Sequence, residues 1–301
     1  MLSRRFDVRV QIGSGLQQLL RIAVQVFGSD VVFCWFAATY AAWAVMLASL
    51  LRKRSLVVIG GVDVAKDAEL GYGIWLSLWK TGLVRYALRN ATHVLAVDES
   101  LKPKAVRLAE YDGENISVVP TGYDAEFWMP AGQKENLVLT VAVAHDLRRL
   151  RVKGIDLLAD TARLLPNIPF VVVGVNPAVV AQLHPPANIA FQETIQCEQL
   201  LPFYQRAKIY CQPSRHEGLP NTLCEAMLCE CIPVVADVGG MKQAVGDAGL
   251  IAERLDAAVL AENTRVALQA SNQLGEKGRR RIQSLFPRAR REASLINIVS
   301  T

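Results

Sequence analysis

Two glutamates, Glu217 and Glu225, bracket Gly-Leu-Pro-Asn-Thr in "SRHEGLPNTLCEAMLCECIPVVADVGG", with apolar runs on either side. Ionised carboxylates only accept hydrogen bonds, so two of them beside one pocket suit the hydroxyls of a sugar or a ribose. The spacing alone is weak, because a surface glutamate in a loop and another on a solvated helix would look the same. Their place in the chain gives the pair its weight. "KIYCQPS" reads as a buried strand, "RHEG" as the loop at its carboxyl end, "PNTLCEAMLC" as a helix with Pro220 suited to the first helical position, and "IPVVAD" as the next strand. Open α/β sheets bind ligands at the carboxyl ends of their strands, and a helix start offers free N–H groups and a positive dipole end to phosphate. Gly218 allows close backbone approach there. Two hydroxyl acceptors around a diphosphate site describe a nucleotide-sugar pocket.

The rest of the chain supplies the elements such a pocket needs. Strand-like runs "HVLAVD", "ISVVP", "NLVLTVAVA" and "PFVVVGV" alternate with helix-like segments such as "GIDLLADTARLL", which predicts parallel sheets with helices on their faces. Pro120 to Asn136, rich in Pro, Gly and polar residues, separates two such sets. Expected are an amino-terminal Rossmann-like domain over 1–133, a carboxyl-terminal nucleotide-sugar domain over 134–285 and a terminal helix over 286–301. Past Ala252 the pattern is helical and basic, with a break at Pro287.

Composition narrows the alternatives. A chain of 301 residues, 51% hydrophobic, is long enough for two cores, and its net charge of +5 is spread along the chain, which argues against nucleic acid and suits an anionic small ligand or a membrane surface. Six cysteines lie mostly in apolar runs, as buried thiols of a reducing compartment do, and Cys224, Cys229 and Cys231 lack a C-x-x-C pair. No metal or cofactor is expected, and the cytoplasm is the expected location, with peripheral contact to the membrane face through Arg52, Lys53 and Trp79. No secretory signal stands at "MLSRRFDVRVQIGSG". The uncharged run Val31 to Leu51, followed by Arg52, Lys53 and Arg54, is long enough for a bilayer span of about 20 residues. The favoured reading is instead a strand, "DVVFCW", and a covering helix, followed by the strand "SLVVIGG".

The stretch "PSRHEGLPNTLCEAM…CIPVVADVGG" resembles the donor-binding signature of retaining glycosyltransferases of family 4, which have the GT-B fold of two facing Rossmann-like domains. "VKGIDLLADTARLLPNIPFVVVG" is similar to that family's KG-x-D-x-L helix and following strand, and "PTGYDAEFW" to its interdomain segment. The likeness runs over residues 120–249 with its motifs in order. It implies transfer of a sugar from a nucleoside diphosphate donor to a hydroxyl acceptor (a glycan, a lipid or a small molecule), in glycan biosynthesis and with retained configuration. Glu217 matches the glutamate at the donor sugar, Glu225 the one on the ribose, Lys153 the lysine on the diphosphate, and Gly218 and Leu219 the loop against sugar and phosphates, with Asn221 and Thr222 at the helix start. Charge on a leaving diphosphate needs such stabilisation.

The departures are informative too. His145 stands nearest the place of the family's usual arginine, leaving Arg148, Arg149 or Arg151 to supply a second positive charge, and Glu230 replaces a glycine that leaves a helix in the left-handed conformation. "GGVDV" resembles a family segment near the transfer centre: Gly60 and Gly61 would allow close substrate approach, and Asp63 would accept a hydroxyl or act as a helix N-cap. The family's first strand and glycine-rich loop are not recognisable, so the first domain is expected to be reduced. The competing readings are a noncatalytic nucleotide-sugar-binding relative, an epimerase of the same fold, and a membrane protein anchored by Val31 to Leu51.

Overall fold

The computed structural model describes residues 2–13 and 15–300. The chain divides into two compact units, one formed by residues up to Gly122 together with those from Ala289 onward, the other by Tyr123–Arg288. These divisions fall at 122/123 and 288/289, against expected boundaries at 133/134 and 285/286.

The first unit runs α1 (Leu16–Phe27), β1 (Val31–Trp35), α2 (Thr39–Leu50), β2 (Arg54–Ile59), α3 (Leu78–Asn90), β3 (His93–Ala96), α4 (Leu101–Ala109) and β4 (Ile116–Val118). Its sheet has the order β1-β2-β3-β4, all parallel. With strands in sequential order, right-handed crossovers place α2, α3 and α4 on one face, and α2 packs against both α1 and α3. The ambiguous run at 31–51 is thus the edge strand β1, in register with β2 from Val31 opposite Arg54, and the covering helix α2. No helix among the described residues is long and apolar enough to cross a membrane. Leu56 to Ile59 of β2 are fully buried, as expected of a strand covered on both faces.

The second unit runs β5 (Glu135–Ala144), α5 (Leu147–Val152), α6 (Ile155–Arg163), β6 (Phe170–Val175), α7 (Pro177–Leu183), β7 (Ile189–Gln192), α8 (Leu201–Arg206), β8 (Ala207–Gln212), α9 (Asn221–Leu228), β9 (Ile232–Ala236), α10 (Met241–Val245), β10 (Leu250–Ala252), α11 (Ala257–Gln269) and α12 (Gln273–Leu285). α13 (Arg288–Ser300) follows, and from Ala289 it belongs to the first unit, where the Arg291 guanidinium donates to the carbonyls of Val119 and Pro120, each at 2.7 Å.

The second sheet is parallel, in the order β10-β9-β8-β5-β6-β7. Relabelled along the chain this is 3-2-1-4-5-6 read from β7, the doubly wound order of a dinucleotide-binding domain. Its core joins Val138, Leu158, Phe170, Val172, Ile209, Val234 and Leu260. The strand order reverses between β5 and β8, and that switch point is where such sheets open a crevice.

Candidate active site

The residues following β5 and β8 are brought together at this switch point. After β5, Asp146 caps α5 by accepting from the Arg149 N–H at 2.7 Å. Lys153 ends α5 and Gly154 turns the chain into α6 at φ 70°. A Cβ on Gly154 would lie 2.0 Å from the Pro213 carbonyl oxygen, so this position has room only for glycine and sets the Lys153 turn directly on the backbone after β8. Arg215 fastens the same junction: its N–H donates to the Val152 carbonyl at 2.8 Å and its guanidinium grips Asp156 with two bonds of 2.8 and 3.0 Å.

The Glu217–Gly218 loop is held from its other side by Gly239 and Gly240. The Gly240 N–H donates to the Gly218 carbonyl at 2.8 Å, and a Cβ on Gly239, at φ 58°, would come within 2.3 Å of the Glu217 carbonyl oxygen. Gly218 itself is not among the left-handed glycines. With both flanks fixed, Glu217 Oε1 lies 2.6 Å from Lys153 Nζ and accepts from Gln212 Nε2 at 3.0 Å. The Lys153 and Glu217 side chains are 23% and 10% exposed, which leaves the pair partly desolvated yet reachable.

Glu225 sits one helical turn inside α9 and is 8% exposed. Its Oε2 accepts from the Tyr204 hydroxyl at 3.1 Å. Burial pushes its pKa up to about 7, against the pull of the Tyr204 hydrogen bond. Pro220 immediately precedes α9 rather than opening it, and no side chain caps the first turn. Asn221 Oδ1 accepts from the Tyr123 hydroxyl at 3.1 Å, Thr222 Oγ1 lies 2.7 Å from the Tyr210 hydroxyl, and Leu219 is buried. These bonds fix the helix start and leave its N–H groups facing outward from the turn.

Other candidates stand differently. His145 and Arg151 are exposed, with the Arg151 carbonyl accepting from Arg215, and Arg148 pairs with Asp146 at 3.7 Å. In the first unit the Asp63 carboxylate is engaged by backbone donors. Asp63 is 1% exposed, and its carboxylate accepts from the N–H groups of Gly61 at 2.8 Å, Gly60 at 3.1 Å and Ala37 at 3.3 Å. It is not an N-cap, since it lies within the single 3-10 turn 62–64. Burial pushes its pKa up while those three donors pull it down. Gly60 is tight against the Phe36 ring, which a Cβ would meet at 2.5 Å, and Gly61 takes φ 144°, so both glycines serve the loop's own geometry.

Three residues of the site were not singled out from sequence. Gln212 orients Glu217, Arg215 ties the loop to α6, and Tyr204 holds Glu225. A glutamine in a strand buried on both faces was the available signal. Gln212 Oε1 and Ser214 Oγ are buried and have no hydrogen-bond partner among the described residues. Since a carboxylate cannot donate, the Gln212 amide must turn its nitrogen to Glu217. Among the described residues no three His, Cys, Asp or Glu side chains converge as a metal site would require.

Solved structures of the GT-B fold superpose on nearly the whole chain. Sucrose-phosphate synthase of Thermosynechococcus elongatus aligns with a TM-score of 0.77 at 17% identity, over 94% of this chain and 78% of that one. The HepE protein of Anabaena, in complex with UDP and glucose, gives 0.78 at 14% identity over 95% and 81%. Residues 137–270 match the family described as Glycosyl transferases group 1. Among curated relatives, alpha-maltose-1-phosphate synthase of Mycolicibacterium smegmatis is 28% identical over 60% of this chain and 52% of its own length. The GPI3 subunit of phosphatidylinositol N-acetylglucosaminyltransferase of Saccharomyces cerevisiae is 24% identical over 84% and 56%. The chain thus spans about half the length of these relatives.

Proposed function

We propose that the chain binds a nucleoside diphosphate sugar where β5 and β8 end, and moves the sugar to a hydroxyl acceptor with retained configuration. The observation that carries this reading is the Lys153–Glu217 pair beside the uncapped start of α9. In this role the Lys153 ammonium and the α9 N–H groups neutralise the diphosphate, with Arg151 and His145 at the rim. Glu217 accepts from the sugar hydroxyls, Glu225 from the ribose, and Gly218 and Leu219 line the loop between. The bond from the anomeric carbon to the diphosphate breaks, its electron pair stays on the departing oxygen, the acceptor oxygen bonds to that carbon, and the acceptor proton passes to the diphosphate. Solved structures of the same fold that hold UDP, or UDP with glucose, support a nucleotide-sugar donor. The names of the relatives include an alpha-maltose-1-phosphate synthase and a phosphatidylinositol N-acetylglucosaminyltransferase subunit, so they support glycosyl transfer without selecting an acceptor.

A donor screen tests this. Purified chain is offered UDP-, GDP- and ADP-sugars, and both binding and slow hydrolysis are followed. Binding of one donor class with hydrolysis is the expected result. Binding without turnover across varied acceptors identifies a noncatalytic nucleotide-sugar-binding protein, and no binding of any donor contradicts the assignment.

A further inference from the structure

Helix α1 carries large apolar side chains on its outward face. Leu16, Leu20, Val24 and Phe27 are 84%, 73%, 70% and 65% exposed. At 100° per residue these four fall within an arc of about 80°, with Gln17 and Arg21 along one border and Val26 and the buried Gln18 on the inward side. A surface helix ordinarily turns such a stripe inward.

The stripe is held in place. The Gly15 N–H donates to the Tyr40 hydroxyl at 3.0 Å, Trp43 Nε1 donates to the Leu19 carbonyl at 3.0 Å, and Lys53 Nζ donates to the carbonyls of Val26 and Phe27 at 2.8 and 2.7 Å. α1 is therefore latched to α2 at its first turn and to the turn after α2 at its end, with the stripe facing away from the core. In the same helical layer, Leu78 and Trp79 at the start of α3 are 93% and 65% exposed.

The charge around α1 is one-sided. Residues 1–53 hold six basic residues (Arg4, Arg5, Arg9, Arg21, Arg52, Lys53) and two acidic ones (Asp7, Asp30), a net of +4 out of the chain's +5, and α1 has no acidic residue. An apolar stripe with Arg21 on its border, in a segment of net positive charge, is complementary to an anionic bilayer surface, where the apolar side chains enter the headgroup boundary and the cation meets lipid phosphate. We propose that α1 lies in the plane of an anionic membrane and docks the first unit there by its Leu16–Leu20–Val24–Phe27 stripe.

The test uses the full chain and sedimentation with vesicles of phosphatidylcholine alone or mixed with phosphatidylglycerol. The chain should pellet with the mixed vesicles, at least fivefold less with the neutral ones, and less again as salt is raised. Leu20→Gln with Val24→Gln should lower binding at least tenfold while donor binding and the thermal transition stay unchanged. Arg21→Gln, which leaves the stripe intact, should lower it about fivefold. Equal pelleting of the stripe variant and the unaltered chain overturns the proposal. So does an unaltered chain that self-associates in sedimentation velocity, loses this on the stripe substitution and ignores vesicles, which would make the face an interface between two copies.

Discussion

Lys153 and Glu217, 64 positions apart, meet at 2.6 Å because the glycine turn at 154 lies against the backbone that follows β8. In the ligand-free chain the lysine charge is matched by the glutamate. On the proposed function, an incoming diphosphate takes over the ammonium, which releases Glu217 toward the sugar.

That exchange separates the two glutamates. Glu217→Gln should leave the binding of free nucleoside diphosphate intact or tighten it, by about threefold to tenfold, since Lys153 loses its counter-charge, while the sugar donor complex or the transfer step is damaged. Glu225→Gln should weaken diphosphate and donor alike through the loss of a charged acceptor at the ribose. Calorimetric titration of both variants with both ligands checks this. Intact diphosphate binding in Glu225→Gln together with its loss in Glu217→Gln would reverse the assigned roles.

Glu225 also gives stability a pH dependence of defined sign. Its folded pKa is raised from an ordinary 4.5 to about 7 by burial, so ionising it opposes folding. Its contribution is fully favourable below pH 4.5, is lost as pH rises to about 7, and stays level above. Glu225→Gln should therefore be more stable than the unaltered chain at pH 8, on the order of 2 kcal/mol, with no gain at pH 4. Urea melts at the two pH values measure the difference, and an equal effect at both would refute it.

Glu230 leaves α9 at φ 65°, the conformation for which glycine was expected there. The Cys231 N–H donates to the Ala226 carbonyl at 2.9 Å and the Glu230 N–H to that of Met227 at 3.0 Å, which is the Schellman bond pattern. A side chain at that φ is strained, so Glu230→Gly should stabilise by about 1 kcal/mol. The melting temperature should rise by about 2–4 °C. A lower melting temperature would show that the Glu230 side chain contributes more than the strain removes.

The parallel α/β architecture was readable because its longer strands are continuous apolar runs bounded by polar turns, as in "NLVLTVAVA" and "PFVVVGV". β7 and β10, of four and three residues, were not recognised: "IAFQ" and "LIA" lack the two valines each of "HVLAVD" and "ISVVP", which mark the equally short β3 and β4. The run at 31–51 could not be settled from periodicity, because a span and a buried strand–helix pair are equally free of charge. Hydrogen bonding to β2 and the left-handed Phe36, at φ 80°, break it in two. The backbone bonding of Asp63 was not legible because one of its donors, Ala37, is 26 residues away and has no signature in "GGVDV". Gln212 and Tyr204 escaped for the same reason: each is one polar group in an apolar context, defined by a partner distant in sequence. The apolar stripe of α1 was visible in "LQQLLRIAVQVF", but whether such a stripe faces a core or solvent is decided by packing.

Titration of the unaltered chain and of Lys153→Ala with the nucleotide-sugar selected by the donor screen tests the donor site most directly. Loss of the ammonium from the diphosphate should lower affinity or turnover at least tenfold, about 1.4 kcal/mol or more, with the fold retained by circular dichroism. Unchanged binding and turnover in a folded Lys153→Ala chain would contradict the site described at the carboxyl ends of β5 and β8.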